Sequence, residues 1–241
     1  MLIRMLEPEV MDSPEEARAY NAMDHRDVNR LFVSDLIAAT RLSKQFDGRD
    51  SDSDLAAYRP VQSLPEILDL GTGTAQIPIE LGRQEKSVRV LAIDASIAML
   101  DVARLNVELA GLRDRIQLQH VDAKALPYGD GRFAAVMSNS IVHHLPEPLD
   151  VLEHALRVVA PGGLLFFRDL LRPASGAAVE HLVATHAAGA EPCQKAMFGA
   201  SLRAALSLAE IRELVLRLGC DTQTVQATSD RHWTWSLGKP A

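Results

Sequence analysis

Residues 66–81, EILDLGTGTAQIPIEL, decide the fold. Five mostly apolar residues lead into Gly71-Thr72-Gly73-Thr74, and the apolar spacing then changes from that of a strand to that of a helix. Gly71 and Gly73 permit backbone conformations and close approach that a Cβ would block. The turn feeds a helix N-terminus whose free N–H groups favour an anionic group. A strand, a glycine turn and a helix in this order open a βαβ unit.

The same alternation repeats along the chain. VRVLAID precedes a helical stretch at 96–110, then come RIQLQHVD and FAAVMSN, a helical stretch at 148–159, and GGLLFFRDL. Five short apolar strands interleaved with amphipathic helices predict an α/β protein with a parallel sheet buried on both faces. A helical insertion is expected at about 175–205, followed by the helix LSLAEIRELVLRLG. Two last strands, DTQTVQAT and RHWTWSL, are joined through Ser229-Asp230, which suits a tight antiparallel connection. The expectation is a seven-stranded, mostly parallel sheet with a terminal antiparallel hairpin and helices on both faces. Trp233 and Trp235 share one face of the last strand and are read as core.

Ahead of the sheet, residues 14–46 read as helix. Ser13-Pro14-Glu15-Glu16 supplies the N-terminal signal, and Val28, Leu31, Phe32, Leu36, Ala39 and Leu42 recur at helical spacing. DGRDSDSD, residues 47–54, reads as a polar linker. The organisation expected is an N-terminal helical cap and acidic linker over 1–60, acting as a lid, and one domain over 61–241 with the insertion inside it.

Of 241 residues, 47% are hydrophobic, enough for a full core, and the formal net charge is −7. With no block of Lys or Arg, neither nucleic acid nor an anionic membrane is the expected partner. Cys193 and Cys220 have no CxxC spacing, and no histidines are paired at metal-ligand intervals, so neither a metal nor a disulfide is expected. No run is long enough to span a bilayer, and the N-terminus lacks a signal-peptide core. The expected location is cytoplasmic, as a monomer or homodimer.

Open α/β sheets bind ligands at the carboxyl ends of their strands. Asp69 ends the first strand beside the glycine turn. Asp94 ends the second, where an acid can take both hydroxyls of a ribose. Asp122 ends the third, where it can accept from the exocyclic amine of a base. A dinucleotide fingerprint would place glycine at 76, where this chain has Gln76.

ILDLGTGTA, VLAIDAS, VDAKALPY, SNSIVHHL and VVAPGGLLFFRDL, in this order and spacing, resemble the class I S-adenosylmethionine-dependent methyltransferases, particularly their small-molecule branch. The likeness runs over roughly residues 64–170 and implies a Rossmann-like fold. One departure is Ala75, where the pattern often has a third glycine, and only a slight change in the turn is expected from it. The resemblance implies S-adenosyl-L-methionine as cofactor, with S-adenosyl-L-homocysteine as product. Gly71, Thr72, Gly73 and Thr74 would line its methionine part, with Asp69 near the amino group. Asp94 would bind the ribose, with Ala95 and Met99 against sugar and adenine, and Asp122 and Ala123 would read the adenine edge. Asn139, Ser140 and Ile141 would border the sulfonium.

Methyl transfer from a sulfonium is an in-line displacement activated by the cofactor, so the protein chiefly positions the reactants. A base is needed only when the small-molecule methyl acceptor arrives protonated, and His143 and His144 are the candidates, set against a packing role for both. Asp169, flanked by Arg168 and Arg172, reads either as a substrate-facing cluster or as a solvated ion pair. Tyr20 is the candidate lid residue, with Asp24 and His25 beside it. His181, His186, Phe198 and Arg203 of the insertion would form another wall. Two other readings are a protein that binds the cofactor without turnover and a nicotinamide-dependent oxidoreductase, the latter disfavoured by Gln76, Asp122 and the hairpin.

Overall fold

The computed structural model describes residues 2–8, 12–42 and 61–241. The expected linker and the last residues of the long N-terminal helix fall outside that range. Strands β1 (Glu66–Leu70), β2 (Arg89–Asp94), β3 (Ile116–His120), β4 (Phe133–Asn139), β5 (Val159–Leu170), β6 (Val225–Ala227) and β7 (His232–Gly238) form one sheet in the order β3-β2-β1-β4-β5-β7-β6. Chain order reverses beside β1, which pairs in parallel with both β2 and β4. β6 runs antiparallel to β7, with Val225 opposite Trp235 and Ala227 opposite Trp233. The expected terminal hairpin is therefore present, although a 3-10 turn at Thr222–Thr224 shortens its first strand.

Helices are α1 (Pro14–Asn21), α2 (Arg26–Leu42), α3 (Gln76–Gln84), α4 (Ile97–Leu109), α5 (Leu149–Val158), α6 (Gly176–His186), α7 (Pro192–Ala204) and α8 (Leu208–Arg217). The single helix expected from residue 14 is two. The Asp24 carboxylate accepts the Arg26 N–H at 3.1 Å and pairs with the Arg26 guanidinium, a local arrangement that competes with helical bonding and starts a new helix. None of the helices among the described residues is long and apolar enough to cross a membrane.

The described chain forms two compact units. The larger contains residues 12–42 and 61–139, Asp150–Phe166 and the last residues from Ser236. Its core joins Phe32 and Leu36 of α2, Ile79 of α3, Val107 of α4 and the inward residues of β1, β2 and β4. Phe32 meets Phe166 edge-on at 5.2 Å between ring centroids. Four of the five β1 residues are buried, as a strand covered on both faces requires. At Gly163 an added Cβ would lie 2.7–2.9 Å from the Val159 side chain and from the Ala134 and Ala160 carbonyl oxygens, so only glycine fits.

The smaller unit contains residues 2–8, Ser140–Leu149 and Phe167–Trp235. Leu170, Val179, Leu182, Leu202 and Ala205 form its core, with Phe198 packed against it. Trp233 and Trp235 are fully buried, the core role expected of them.

Candidate cofactor site and histidine cluster

In the larger unit the turn after β1 places three left-handed residues within five positions: Gly71 (φ 68°), Gly73 (φ 55°) and Ala75 (φ 61°). Ala75 takes the conformation glycine would take, at a strain of about 1–2 kcal/mol. Burial of its methyl in the core offsets roughly 0.8 kcal/mol of that. The Thr72 N–H donates to the Ile93 carbonyl at 2.9 Å, tying the turn to the end of β2.

Asp94 completes that tie. Its Oδ2 accepts the Gly73 N–H at 2.7 Å and its Oδ1 the Ser96 N–H at 2.8 Å. Ser96 in turn caps α4 by accepting the Met99 N–H at 3.1 Å. Burial raises the Asp94 pKa despite these donors. Asp69, at the end of β1, is buried, and its pKa is pushed up to about 7, first by burial and further by the nearby Asp94 charge, while the adjacent Thr72 hydroxyl pulls it down.

Four buried polar atoms in this region lack a hydrogen bond of normal geometry among the described residues: Asp69 Oδ2, Thr72 Oγ1, Thr74 Oγ1 and Asn139 Oδ1. Buried polar atoms are paired as a rule, so such a group calls for an explanation. Carboxylate and amide oxygens can receive an ammonium, and the two hydroxyls can donate to a carboxylate. An amino-acid moiety carries both groups.

The other expected contacts have local roles of their own. Met99 and Ala123 are buried, and the Ala95 carbonyl bonds His120 Nε2 at 2.9 Å. Asp122 Oδ1 accepts the Lys124 N–H at 2.9 Å, capping a 3-10 turn at Ala123–Ala125, with its side chain half exposed. Ser140, the residue after β4, has φ 63°, uncommon for a residue other than glycine and found most often at functional sites. Its N–H donates to the Arg168 carbonyl at 2.9 Å, and Ile141 follows at the start of a 3-10 turn.

Sequence reading missed what holds the N-terminal helices to this turn. Gln76 bonds Asn29 of α2 at 3.3 Å through Oε1 and Asn21 of α1 at 3.3 Å through Nε2. Asn106 of α4 donates to Asn21 at 2.8 Å and to the Thr74 carbonyl at 2.9 Å. The residue that departs from the dinucleotide pattern is the one that clamps α1 and α2. Tyr20 Cε1 lies 3.6 Å from where a Gly73 Cβ would sit, and its hydroxyl pKa is raised by burial and by the charges of Asp94 and Asp69. Its ring lies against His25, with centroids 5.3 Å apart.

In the smaller unit His143 is buried between two carboxylates. Its Nδ1 is 2.6 Å from Asp169 Oδ1, and its Nε2 is 3.3 Å from Glu7 Oε1. Asp169 also accepts the N–H groups of Val142 at 2.5 Å, His143 at 3.3 Å and Leu170 at 2.6 Å. Burial opposes charge on His143, but Asp169 and Glu7 outweigh it and raise the pKa. His144 stacks on His143 at 4.1 Å, and its pKa is lowered to about 4 by burial and by the neighbouring imidazole. Glu7 is held by the Ser201 hydroxyl at 3.0 Å.

Asp169 is only 1% exposed, so of the two readings, a substrate-facing cluster or a solvated ion pair, the second is corrected: Asp169 is a buried carboxylate bonded to His143. Arg172 instead reaches Glu210 at 2.6 Å, and Arg168 donates to Thr234 Oγ1 at 2.9 Å. Among the insertion residues, His186 pairs with Asp230 at 2.6 Å and Arg203 donates to the Gly199 carbonyl at 2.8 Å.

Residues 67–163 match the family model described as a methyltransferase domain. The chain is 32% identical to the 27-O-demethylrifamycin SV methyltransferase of Amycolatopsis mediterranei over 126 residues, 52% of this chain and 46% of that protein. It is 34% identical to the demethylmenaquinone methyltransferase of Thermus thermophilus over 111 residues, 46% and 50% of the two chains. The chain thus spans about half the length of these curated relatives. In fold it is similar to the plantazolicin methyltransferase BpumL, solved with a desmethyl plantazolicin analogue and SAH. The TM-score is 0.64 at 14% identity, covering 94% of this chain and 91% of that one. The matched segment, residues 67–163, is similar to a methyltransferase domain, and its glycine turn and the sheet order agree with that likeness.

Proposed function

We propose that the protein transfers a methyl group from S-adenosyl-L-methionine to a small-molecule acceptor and releases S-adenosyl-L-homocysteine. The observation that carries this reading is the set of unpartnered buried atoms around the glycine turn, which fits the charged amino-acid end of that cofactor. Asp69 would receive the ammonium, and Thr72 and Thr74 would donate to the carboxylate while Gly71 and Gly73 allow close approach. Asp94 would exchange its bond to the Gly73 N–H for the ribose hydroxyls, with Ala95 and Met99 beside the sugar and adenine. Asp122 and Ala123 would read the adenine edge. Asn139, Ser140 and Ile141 would border the sulfonium, and Tyr20 would close over the turn.

The cofactor when bound supplies a methyl group already activated by positive sulfur. The chain's own part is to hold, orient and exclude water. The relatives named above are named for small molecules, and a net charge of −7 is unsuited to a polyanion, so a small-molecule acceptor is the supported class. For a hydroxyl acceptor, His143 and His144 are the groups proposed to manage its proton.

Calorimetric titration with S-adenosylhomocysteine, with NADH as the control ligand, tests the cofactor. Micromolar or tighter binding of the first alone is expected, and binding of NADH alone would overturn the reading. Turnover against a panel of small hydroxyl, amine and quinol acceptors then tests transfer. Tight cofactor binding with silence across that panel would favour a binding protein without turnover.

A further inference from the structure

Residues far apart in sequence meet in the smaller unit with the chemistry of a metal centre. We propose that Glu7, His143 and His144 form a binding site for a zinc-class divalent cation. Their ligand atoms lie within 4.8 Å of one another. Glu7 Oε1 is 3.3 Å from His143 Nε2 and 3.3 Å from His144 Nδ1. Tetrahedral zinc, with bonds of about 2.0–2.1 Å, sets its ligand atoms about 3.3 Å apart. A charge-assisted hydrogen bond between the same groups would draw in to about 2.7–2.9 Å. The two spacings to Glu7 are those of ligands around an ion, and the two imidazole nitrogens lie within 4.8 Å of each other.

The surroundings fit as well. Asp169 engages Nδ1 of His143 at 2.6 Å, which fixes the tautomer and turns the Nε2 lone pair toward Glu7. A carboxylate behind a ligating imidazole is the usual second layer of a zinc site. Asp169 is itself fixed by three backbone N–H groups and Glu7 by Ser201, so the donors are held before any ion arrives. The Pro8 carbonyl, 3.3 Å from His144 Nδ1, is a further oxygen at the edge of the cluster. Two imidazoles and one carboxylate select zinc, cobalt or nickel over magnesium or calcium, which prefer oxygen alone. Three protein ligands leave a fourth position open, as in catalytic zinc sites. A cation there would lower the pKa of a water or hydroxyl bound in the open position, in place of the imidazoles acting as bases. Its binding is a separate claim from methyl transfer.

The test uses the full chain after chelator treatment. Titration with Co2+ is expected to give the intense visible absorption of a tetrahedral site, displaced by Zn2+, with calorimetric Zn2+ affinity in the micromolar range or tighter. Glu7→Gln and His144→Ala should each weaken Zn2+ at least tenfold, and Asp169→Asn by about 10–100-fold. Circular dichroism checks that each variant is folded, and Glu7→Gln keeps the test open if the buried Asp169 variant is not. Bound Zn2+ should also protect the segment around Glu7 from proteolysis. Equal Zn2+ binding by the wild type and a Glu7→Gln/His144→Ala double variant would mark adventitious surface binding and overturn the proposal, as would no binding at all. S-adenosylhomocysteine titrations on metal-free protein report on the cofactor site separately, so failure of either claim is distinguishable.

Discussion

Asp94 and Gly73 are joined directly: the carboxylate at the end of β2 accepts the N–H of the glycine turn after β1 at 2.7 Å. One side chain therefore shapes the turn, and it is the one proposed to take a ribose. Replacing it removes a charge-assisted bond worth about 1.5–3 kcal/mol. Asp94→Ala is expected to weaken S-adenosylhomocysteine at least tenfold and to lower the melting temperature as well. Asp94→Asn, which keeps one acceptor oxygen, should fall between the two in both measurements. Unchanged affinity in a folded Asp94→Ala protein would remove this residue from the site.

Asp69 makes the cofactor-free protein pH-sensitive. Its folded pKa of about 7 lies above its ordinary 3.8, so between those values the folded protein keeps a proton that the unfolded chain has released. Stability from this group is present at the acid end of that window, falls as pH rises toward about 7, and is level beyond it. Urea unfolding of the wild type and Asp69→Asn across this range should show the wild type losing stability relative to the variant by a few kcal/mol. Binding of an ammonium favours the ionised carboxylate, so cofactor affinity should rise over the same range. A pH-independent difference between the two proteins would contradict the assignment.

Gly163→Ala inserts a methyl group into a space closed by the Val159 side chain and two carbonyl oxygens. Overpacking of this kind costs about 1–3 kcal/mol, and contact with two backbone oxygens puts this case at the upper end. A fall in melting temperature of roughly 5–10 °C is expected in a domain of this size. The cofactor turn lies on other strands, so affinity in the folded variant should hold.

Gln76→Ala removes the clamp between the glycine turn and the two N-terminal helices. The bonds lost are long and neutral, at 3.3–3.4 Å, so the cost is about 1 kcal/mol. Faster amide exchange in α1 and weaker cofactor binding are expected together. Exchange unchanged from wild type would show that the Gln76 bonds do not hold α1 in place.

The sheet and its glycine turn were legible because each is written in contiguous residues: an apolar strand, a turn of small residues and an acid at the strand end need no distant partner to be recognised. Trp233 and Trp235 were placed in the core by period-two spacing alone. What was not legible depends on meetings across the fold. Nothing local tells that Gln76 reaches Asn21 and Asn29, or that Glu7 joins His143. Asp169 between two arginines looked like a surface ion pair because sequence shows neighbours and not burial. The break at Asp24 was not legible, because the N-terminal signal at Ser13 and the apolar series from Val28 frame it without marking a stop between them.

The N-terminal segment has a consequence for how the chain is made. Arg4 bonds the carbonyls of Val142, His143, Leu145 and Ala204, from 138 to 200 positions away, and Glu7 meets Ser201, 194 positions away. During vectorial synthesis residues 2–8 are made well over a hundred positions ahead of these partners. The segment thus waits, undocked, until those partners have been made, and its long-range contacts form late in folding.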